Sequence, residues 1–424
     1  MKVTTKIDIA PLTRVEGHGN IRIALRNGIL VEAAWEVVES PRFFEAMLVG
    51  KRWEDVPWIC GRICGICSIG HTLASIRAIE NAFGIVPTEQ TRKLRLLLKH
   101  METLQSHTLH LFFLVAPDLL GTGSVLPLVD SRPDLVRLAL RLKGTANDLC
   151  DRIGGRRLHP IRTVVGGFTR IPSKQDLASF VPRLREAASG LRAAVELFRT
   201  VSLPEFSRET EFVSLRGETE YPFLGGDLMS SDGVRKRECE YREMTNEYSV
   251  ERSTAKWCRL SRDSFAVGAL ARVNNNFDRL HPEAKRAADA MGLSPVEHNP
   301  FRNNTAQLVE SVHVVHDALR LVEELLEGDP VEPRQPVTPR AGAGVSAVEV
   351  PRGILYHAYE FDGEGRVLRC DCVIPTGQNH GNIQRDLEAL AASSASRGMP
   401  DREIERLAEM LVRAYDPCIS CSVH

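Results

Sequence analysis

The sequence has no apolar run long enough to cross a bilayer. Its most apolar stretch, Leu109 to Val115, falls far short of the roughly 20 residues that a spanning helix needs. It also lacks a surplus of either charge: Lys and Arg total 54 against 55 Asp and Glu, so no net field draws in a polyanion. Nucleic-acid binding and membrane insertion are therefore excluded as principal functions. The opening Met1-Lys2-Val3-Thr4-Thr5-Lys6-Ile7 has no apolar signal-peptide region, and the expectation is a soluble chain in the cytoplasm. Internal repeats, low-complexity tracts and a dinucleotide-binding glycine fingerprint are missing as well. Cysteine is sparse, ten in 424 residues and unevenly placed, which argues against a disulfide scaffold. In a cytoplasmic chain, clustered cysteines bind metal or carry out redox chemistry.

A chain of this length can bury a large core and a water-poor site. We read it as one domain, 1–424, in four regions: an N-terminal hairpin region (1–40), a helical core (41–326), a linker and hairpin (327–376), and C-terminal helices with a metal-binding tail (377–424). Ile21, Ile23 and Leu25 alternate with other residues, Asn27-Gly28 follows, and Ile29, Val31 and Ala33 alternate again, which predicts a hairpin. Leu94, Leu97, Leu98, Met101, Leu104, Leu111 and Leu114 recur at helical spacing and predict one long helix. Further helices are expected over Leu135–Ile153, Pro172–Val201, Asn303–Leu326, Ile383–Ala392 and Arg402–Tyr415. Leu203–Arg262 should be an irregular excursion. Pro330, Pro333, Pro336 and Pro339 with Gly342 and Gly344 form a non-helical connector. Ile354–Phe361 and Val367–Ile374 flank a turn at Asp362-Gly363-Glu364-Gly365. The expected fold is α+β, mainly α, a long-helix bundle core with small peripheral antiparallel sheets.

Two C-x-x-C elements carry the chemistry: Cys64-Gly65-Ile66-Cys67 and Cys418-Ile419-Ser420-Cys421. This spacing lets both thiolates of a pair face one metal. Thiolates select zinc, nickel, iron-sulfur or copper over magnesium, and spacing alone does not choose among these. Structural zinc usually supports small domains, whereas these pairs lie at opposite ends of a large chain, each near a histidine, His71 or His424. The remaining cysteines, Cys60, Cys150, Cys239, Cys258, Cys370 and Cys372, read as small buried hydrophobes.

Arg62-Ile63-Cys64-Gly65-Ile66-Cys67 with His71, and Asp416-Pro417-Cys418-x-x-Cys421-x-x-His424, closely resemble the two signatures of nickel-iron hydrogenase large subunits. Thr13-Arg14-Val15-Glu16-Gly17-His18, Glu39-Ser40-Pro41-Arg42-Phe43-Phe44-Glu45, Val165-Gly166-Gly167-Phe168 and Val350-Pro351-Arg352-Gly353 resemble further family blocks in family order. The resemblance therefore spans essentially the whole chain. It is strongest to the soluble, cytoplasmic, bidirectional or NAD(P)-linked branch that includes the sulfhydrogenases.

What the resemblance implies is specific. Cys64 and Cys418 would bind nickel terminally, while Cys67 and Cys421 would bridge nickel to an iron carrying carbon monoxide and cyanide. The proton from dihydrogen would pass to Cys418 and then to Glu16 acting as a general base. Arg352 would stand over the open metal position beside Pro351, with Asp118 and Asp416 as its carboxylate partners. A guanidinium hardly deprotonates, so positioning and electrostatics suit it better than base catalysis. His71 would donate to a cysteine sulfur. Glu45, His424 and a backbone carbonyl near Cys372 would hold a third metal, magnesium or iron, with an oxygen-rich shell favouring magnesium. Electrons would leave through an iron-sulfur small subunit and flavin- and NAD(P)-binding diaphorase-type subunits, and maturation proteins would insert the metals.

Two departures stand out. The sequence ends at His424, where family precursors continue and are cut, so the expectation is a processed form or one encoded without a tail. Gly377-Gln378-Asn379 follows Ile374-Pro375-Thr376 where many relatives carry a bulkier residue. Two competing readings remain: a related electron-transfer subunit of a quinone-reducing complex, expected to lack the four cysteines, and a zinc-stabilised scaffold without enzymatic activity.

Overall fold

A computed structural model describes residues 5–328 and 333–424. The signal-peptide reading of the first four residues and the connector reading at Pro330 therefore lie outside the described residues.

The N-terminal segment is a three-stranded antiparallel sheet, β1 (Thr5–Ile9), β2 (Gly19–Arg26) and β3 (Ile29–Val37), in that spatial order. Asn27 and Gly28 both take positive φ (51° and 73°), as the turn between β2 and β3 requires. A register shift at Ala24/Leu25 puts Ala33, Trp35 and Val37 on the buried face and leaves Ile29 and Val31 exposed. That face packs on a later helix, Pro375–Ser396.

The helical core is built from α1 (Ser68–Phe83), α2 (Glu89–Leu109), α3 (Pro133–Gly154), α4 (Val181–Phe198) and α5 (Asn303–Glu327). Helix α2 packs against α3 and α5, and α4 packs against α5. Helix α3 stops at Gly155, which takes the left-handed conformation that only glycine adopts at little cost. The predicted helix through Leu114 is interrupted: α2 ends at Leu109 and a wider π turn covers His110–Val115 before Pro117. The predicted Pro172–Val201 helix is two pieces, because Ser173 caps Lys174–Ala178 and α4 starts afresh just before Pro182.

The excursion after Leu203 is more ordered than expected. Glu211–Arg216 lies in a four-stranded sheet between Asp227–Ser230 and Phe265–Ala266, and its pairing with the latter is parallel. The strand is buried on both faces, so its sequence shows no alternation. Gly342 and Gly344 are likewise not connector but the start of strand β4 (Gly342–Val350), which pairs with β5 (Gly353–Phe361) and through it β6 (Val367–Val373). This sheet lies on α1, and a Cβ at Gly344 would come 2.0 Å from the Ala78 carbonyl, so glycine lets the strand and helix touch. Two long helices follow, α6 (Pro375–Ser396) and α7 (Asp401–Ala414), and then a single helical turn at Ile419–Ser422. Among the described residues no helix is long and apolar enough to cross a membrane.

Candidate metal centre

The two cysteine pairs, 354 positions apart in sequence, meet in the interior. Cys64 and Cys67 lie on the loop before α1, and Cys418 and Cys421 lie on the tail after α7. Cys64 Sγ is 3.5 Å from Cys418 Sγ, and Cys418 Sγ is 2.7 Å from Cys421 Sγ, beyond the roughly 2.05 Å of a disulfide. The sulfurs of Cys64, Cys418 and Cys421 all lie within 4.8 Å of one another; so do those of Cys67 and Cys421 with a ring nitrogen of His71. All four thiols are buried.

Local structure explains the convergence. Lys99 and Glu102 form a fully buried ion pair on α2 (2.5 Å), and Glu102 also accepts the Gly70 amide (2.9 Å), which fixes the first turn of α1 beside the Cys64 loop. Backbone amides of Ile66 and Cys67 point at Cys64 Sγ (3.2 and 3.1 Å). The tail is held by Cys418 N–H donating to Thr376 Oγ1 at the start of α6 (3.0 Å) and by Ile419 N–H donating to the Glu16 carbonyl (2.9 Å). Arg42 joins the halves, one guanidinium nitrogen donating to the carbonyls of Ile63 (2.8 Å) and Ser420 (2.5 Å).

Arg352 is buried, and its Nη2 donates to Asp416 Oδ1 at 2.8 Å. Burial opposes its charge, but Asp416 and the thiols of Cys418, Cys67 and Cys64 outweigh that cost and hold the guanidinium well above its ordinary pKa. The other Asp416 oxygen accepts from Gln307 (3.1 Å), and Gln307 meets His110 (2.6 Å). Beneath the Val350–Arg352 turn, the fully buried Arg272 donates to the carbonyls of Val350 (2.9 Å) and Pro351 (3.0 Å) and pairs with Glu310 and Glu349.

Asp118 is not a partner of Arg352 as expected. Its oxygens accept from Arg413 (2.7 and 3.1 Å) and Arg14 (2.6 Å), so it ties α7 to the N-terminal loop. Glu16 is half-buried; its carboxylate accepts the Ser420 amide (3.1 Å) and the Ser420 hydroxyl, while its backbone lies beside Cys418. Glu45 and His424 come together, Oε1 to Nε2 at 3.6 Å. Burial opposes ionisation of Glu45, but His424 and the Cys372 amide lower its pKa below the ordinary value. The Cys372 contact seen at this place is its N–H, donating to Glu45 at 2.8 Å, whereas the expectation concerned its carbonyl.

Sequence reasoning assigned no role to Arg42, Thr376, Gln307, His110, Arg272 or Glu310. The available signal lay in polar residues on otherwise apolar helix faces: His110 follows the Leu-rich run of α2, and Gln307 and Glu310 flank Leu308 and Val309.

These residues fit a soft metal. Four thiol sulfurs converge, and two buried nitrogens, His71 Nε2 and Arg352 Nε, have no hydrogen-bond partner among the described residues. The chain belongs to the nickel-dependent hydrogenase family and is its large, catalytic subunit, an oxidoreductase acting on dihydrogen. The family profile described as nickel-dependent hydrogenase matches residues 42–130 and 227–424, and one described as HoxL-like matches residues 6–40. Sulfhydrogenase 1 subunit alpha of Pyrococcus furiosus is 38% identical over 99% of this chain and 97% of its own length. The beta subunit of the NAD-reducing hydrogenase HoxS of Cupriavidus necator is 28% identical over 100% of this chain and 95% of its own. A crystal structure of an NAD+-reducing [NiFe]-hydrogenase in the H2-reduced state superposes with TM-score 0.89 at 27% identity, covering 100% of both chains.

Proposed function

We propose that Cys64, Cys67, Cys418 and Cys421 hold a nickel-iron centre, the iron carrying carbon monoxide and cyanide, at which dihydrogen is reversibly converted to two protons and two electrons. The observation that carries this is the meeting of two C-x-x-C pairs from distant parts of the chain in one buried site. When bound, the centre would supply redox-active metals with an open position for dihydrogen.

The protein's own residues supply the proton route and the charge environment. The Cys418 thiolate takes the first proton, and Glu16, whose backbone adjoins Cys418, passes it toward the exterior. Its half-buried carboxylate suits an exit better than an interior base. Arg352 keeps its charge and stabilises negative charge over the thiolates, with Asp416 fixing its direction. Pro351 shapes the same turn, and Asp118 contributes indirectly by anchoring Arg413 and Arg14. Glu45, His424 and the Cys372 backbone hold magnesium or iron, supported by the approach of Glu45 to both residues.

The same reading places the chain, as one domain, in a cytoplasmic complex. An iron-sulfur small subunit takes the electrons, a flavin-containing diaphorase-type module passes them to NAD(P) or a similar carrier, and maturation proteins load the metals. The NAD-reducing relatives support this assignment. Infrared spectroscopy of the purified complex with nickel and iron quantification tests it: bands of metal-bound carbon monoxide and cyanide are expected. Nickel-loaded protein without those bands would refute the proposal, and stoichiometric zinc in their place would favour the scaffold reading.

A further inference from the structure

Behind His71, four residues that the proposed function leaves unused, His357, Tyr359, Ser75 and Cys60, form a hydrogen-bonded network. His71 sits one helical turn after Cys67 on α1, fully buried. Its Nδ1 is 3.1 Å from Nε2 of His357, a fully buried residue of β5. His357 Nδ1 is 2.6 Å from the Tyr359 hydroxyl, two residues along the same face of the strand. The Tyr359 oxygen lies 3.1 Å from both Ser75 Oγ and Cys60 Sγ. At the other end, His71 Nε2 is buried and has no hydrogen-bond partner among the described residues. A ring nitrogen of His71 is within 4.8 Å of the sulfurs of Cys67 and Cys421.

We propose that His357 and Tyr359 are positioning residues that fix the His71 tautomer, so that its Nε2–H is presented to the sulfurs of Cys67 and Cys421. The inference rests on the nickel-iron reading of the site. A neutral imidazole donates from one nitrogen and accepts at the other, so the thiolate end of the chain decides its direction. Metal-binding cysteines are thiolates, which welcome a donor and repel a nitrogen lone pair. The Tyr359 hydroxyl has one hydrogen, and His357 Nδ1 is the nearest of its three neighbours, at 2.6 Å against 3.1 Å for Ser75 and Cys60. With the thiolates taking the hydrogen of one His71 nitrogen, His71 Nδ1 accepts from His357 Nε2–H, and His357 Nδ1 accepts from the Tyr359 hydroxyl. That leaves His71 Nε2–H for the thiolates. Without Tyr359 or His357 the ring can turn its lone pair to the sulfurs.

Tyr359→Phe removes a single oxygen, and His357→Ala removes the middle link. In infrared spectra of the purified complex, both variants should keep nickel and iron at wild-type content while the carbon monoxide and cyanide bands move to lower frequency. A bridging thiolate that loses a hydrogen bond gives more electron density to iron. Activity should fall about 10- to 100-fold, as for other residues that orient a ligand from behind. His71→Ala should shift the bands the same way, and adding Tyr359→Phe to it should shift them no further. If His357→Ala does not assemble, Tyr359→Phe alone decides. Full metal content with unshifted bands in Tyr359→Phe overturns the proposal. Wild-type complex with nickel and no such bands overturns the reading of the centre itself, and this inference with it.

Discussion

Glu16 and Arg272 show how differently two charged residues near one site can act. Glu16 faces Ser420 at the edge of the tail, so Glu16→Gln keeps its size and its place in the protein. Metal content should be unchanged, while dihydrogen-dependent dye reduction slows by about 10²- to 10⁴-fold, the usual worth of a positioned acid-base group. Full turnover by this variant would remove Glu16 from the proton route. Arg272 touches no thiol but sits wholly buried between Glu310 and Glu349. Arg272→Met leaves both carboxylates in the interior without their cation. The expected loss is about 3–5 kcal/mol, seen as a lower midpoint of thermal or denaturant unfolding. A stability within 1 kcal/mol of wild type, to order of magnitude, would mean the pairs are as weak as surface ones.

Elements differ in how plainly the sequence announces them. Helices α3 and α7 are legible because one face of each meets the core and the other meets water, so apolar residues recur at helical spacing. The strand Glu211–Arg216 is buried on both faces, and the first third of α6 is buried all round with polar Gln378, Asn379 and His380 inside, so neither shows a period. The thiol site is legible through its motifs, but its supports are not. Asp118 reads as a partner of Arg352 only until the register of α7 places Arg413 against it. Strand β4 hides behind its glycines, whose role is contact with α1. Gly344→Ala should therefore push β4 from α1 and cost about 1–3 kcal/mol in denaturant unfolding, as overpacking does. An unchanged midpoint would show that the strand can slide away freely.

Across the whole molecule, buried histidines link stability to pH. Burial pushes His313 and His380 each down to about 3, so the folded protein keeps them neutral where the unfolded chain protonates them, below about 6.5. Between those values the unfolded state binds more protons. Stability is therefore complete above about pH 6.5 and falls as pH drops toward 3. Glu310 adds to the lower part of this loss: burial opposes its charge, but Arg272 and His107 hold its pKa well below the ordinary carboxylate value. Unfolding free energy measured from pH 7 to pH 4 should decline steadily. His313→Gln should flatten that slope, and an unaltered slope would mean the histidine is not held neutral.

The distance in sequence between the two cysteine pairs sets a schedule. Cys64 and Cys418 touch across 354 positions, and Arg42 can grip Ser420 only after those residues exist. At about 5–20 residues per second of synthesis, the first pair emerges roughly 20–70 s before the second. For that interval Cys64 and Cys67 are on a growing chain without the Cys418 and Cys421 that later lie beside them. The thiol site is thus open on one side until the segment that carries Cys418 and Cys421 is laid against Arg42, Thr376 and Glu16.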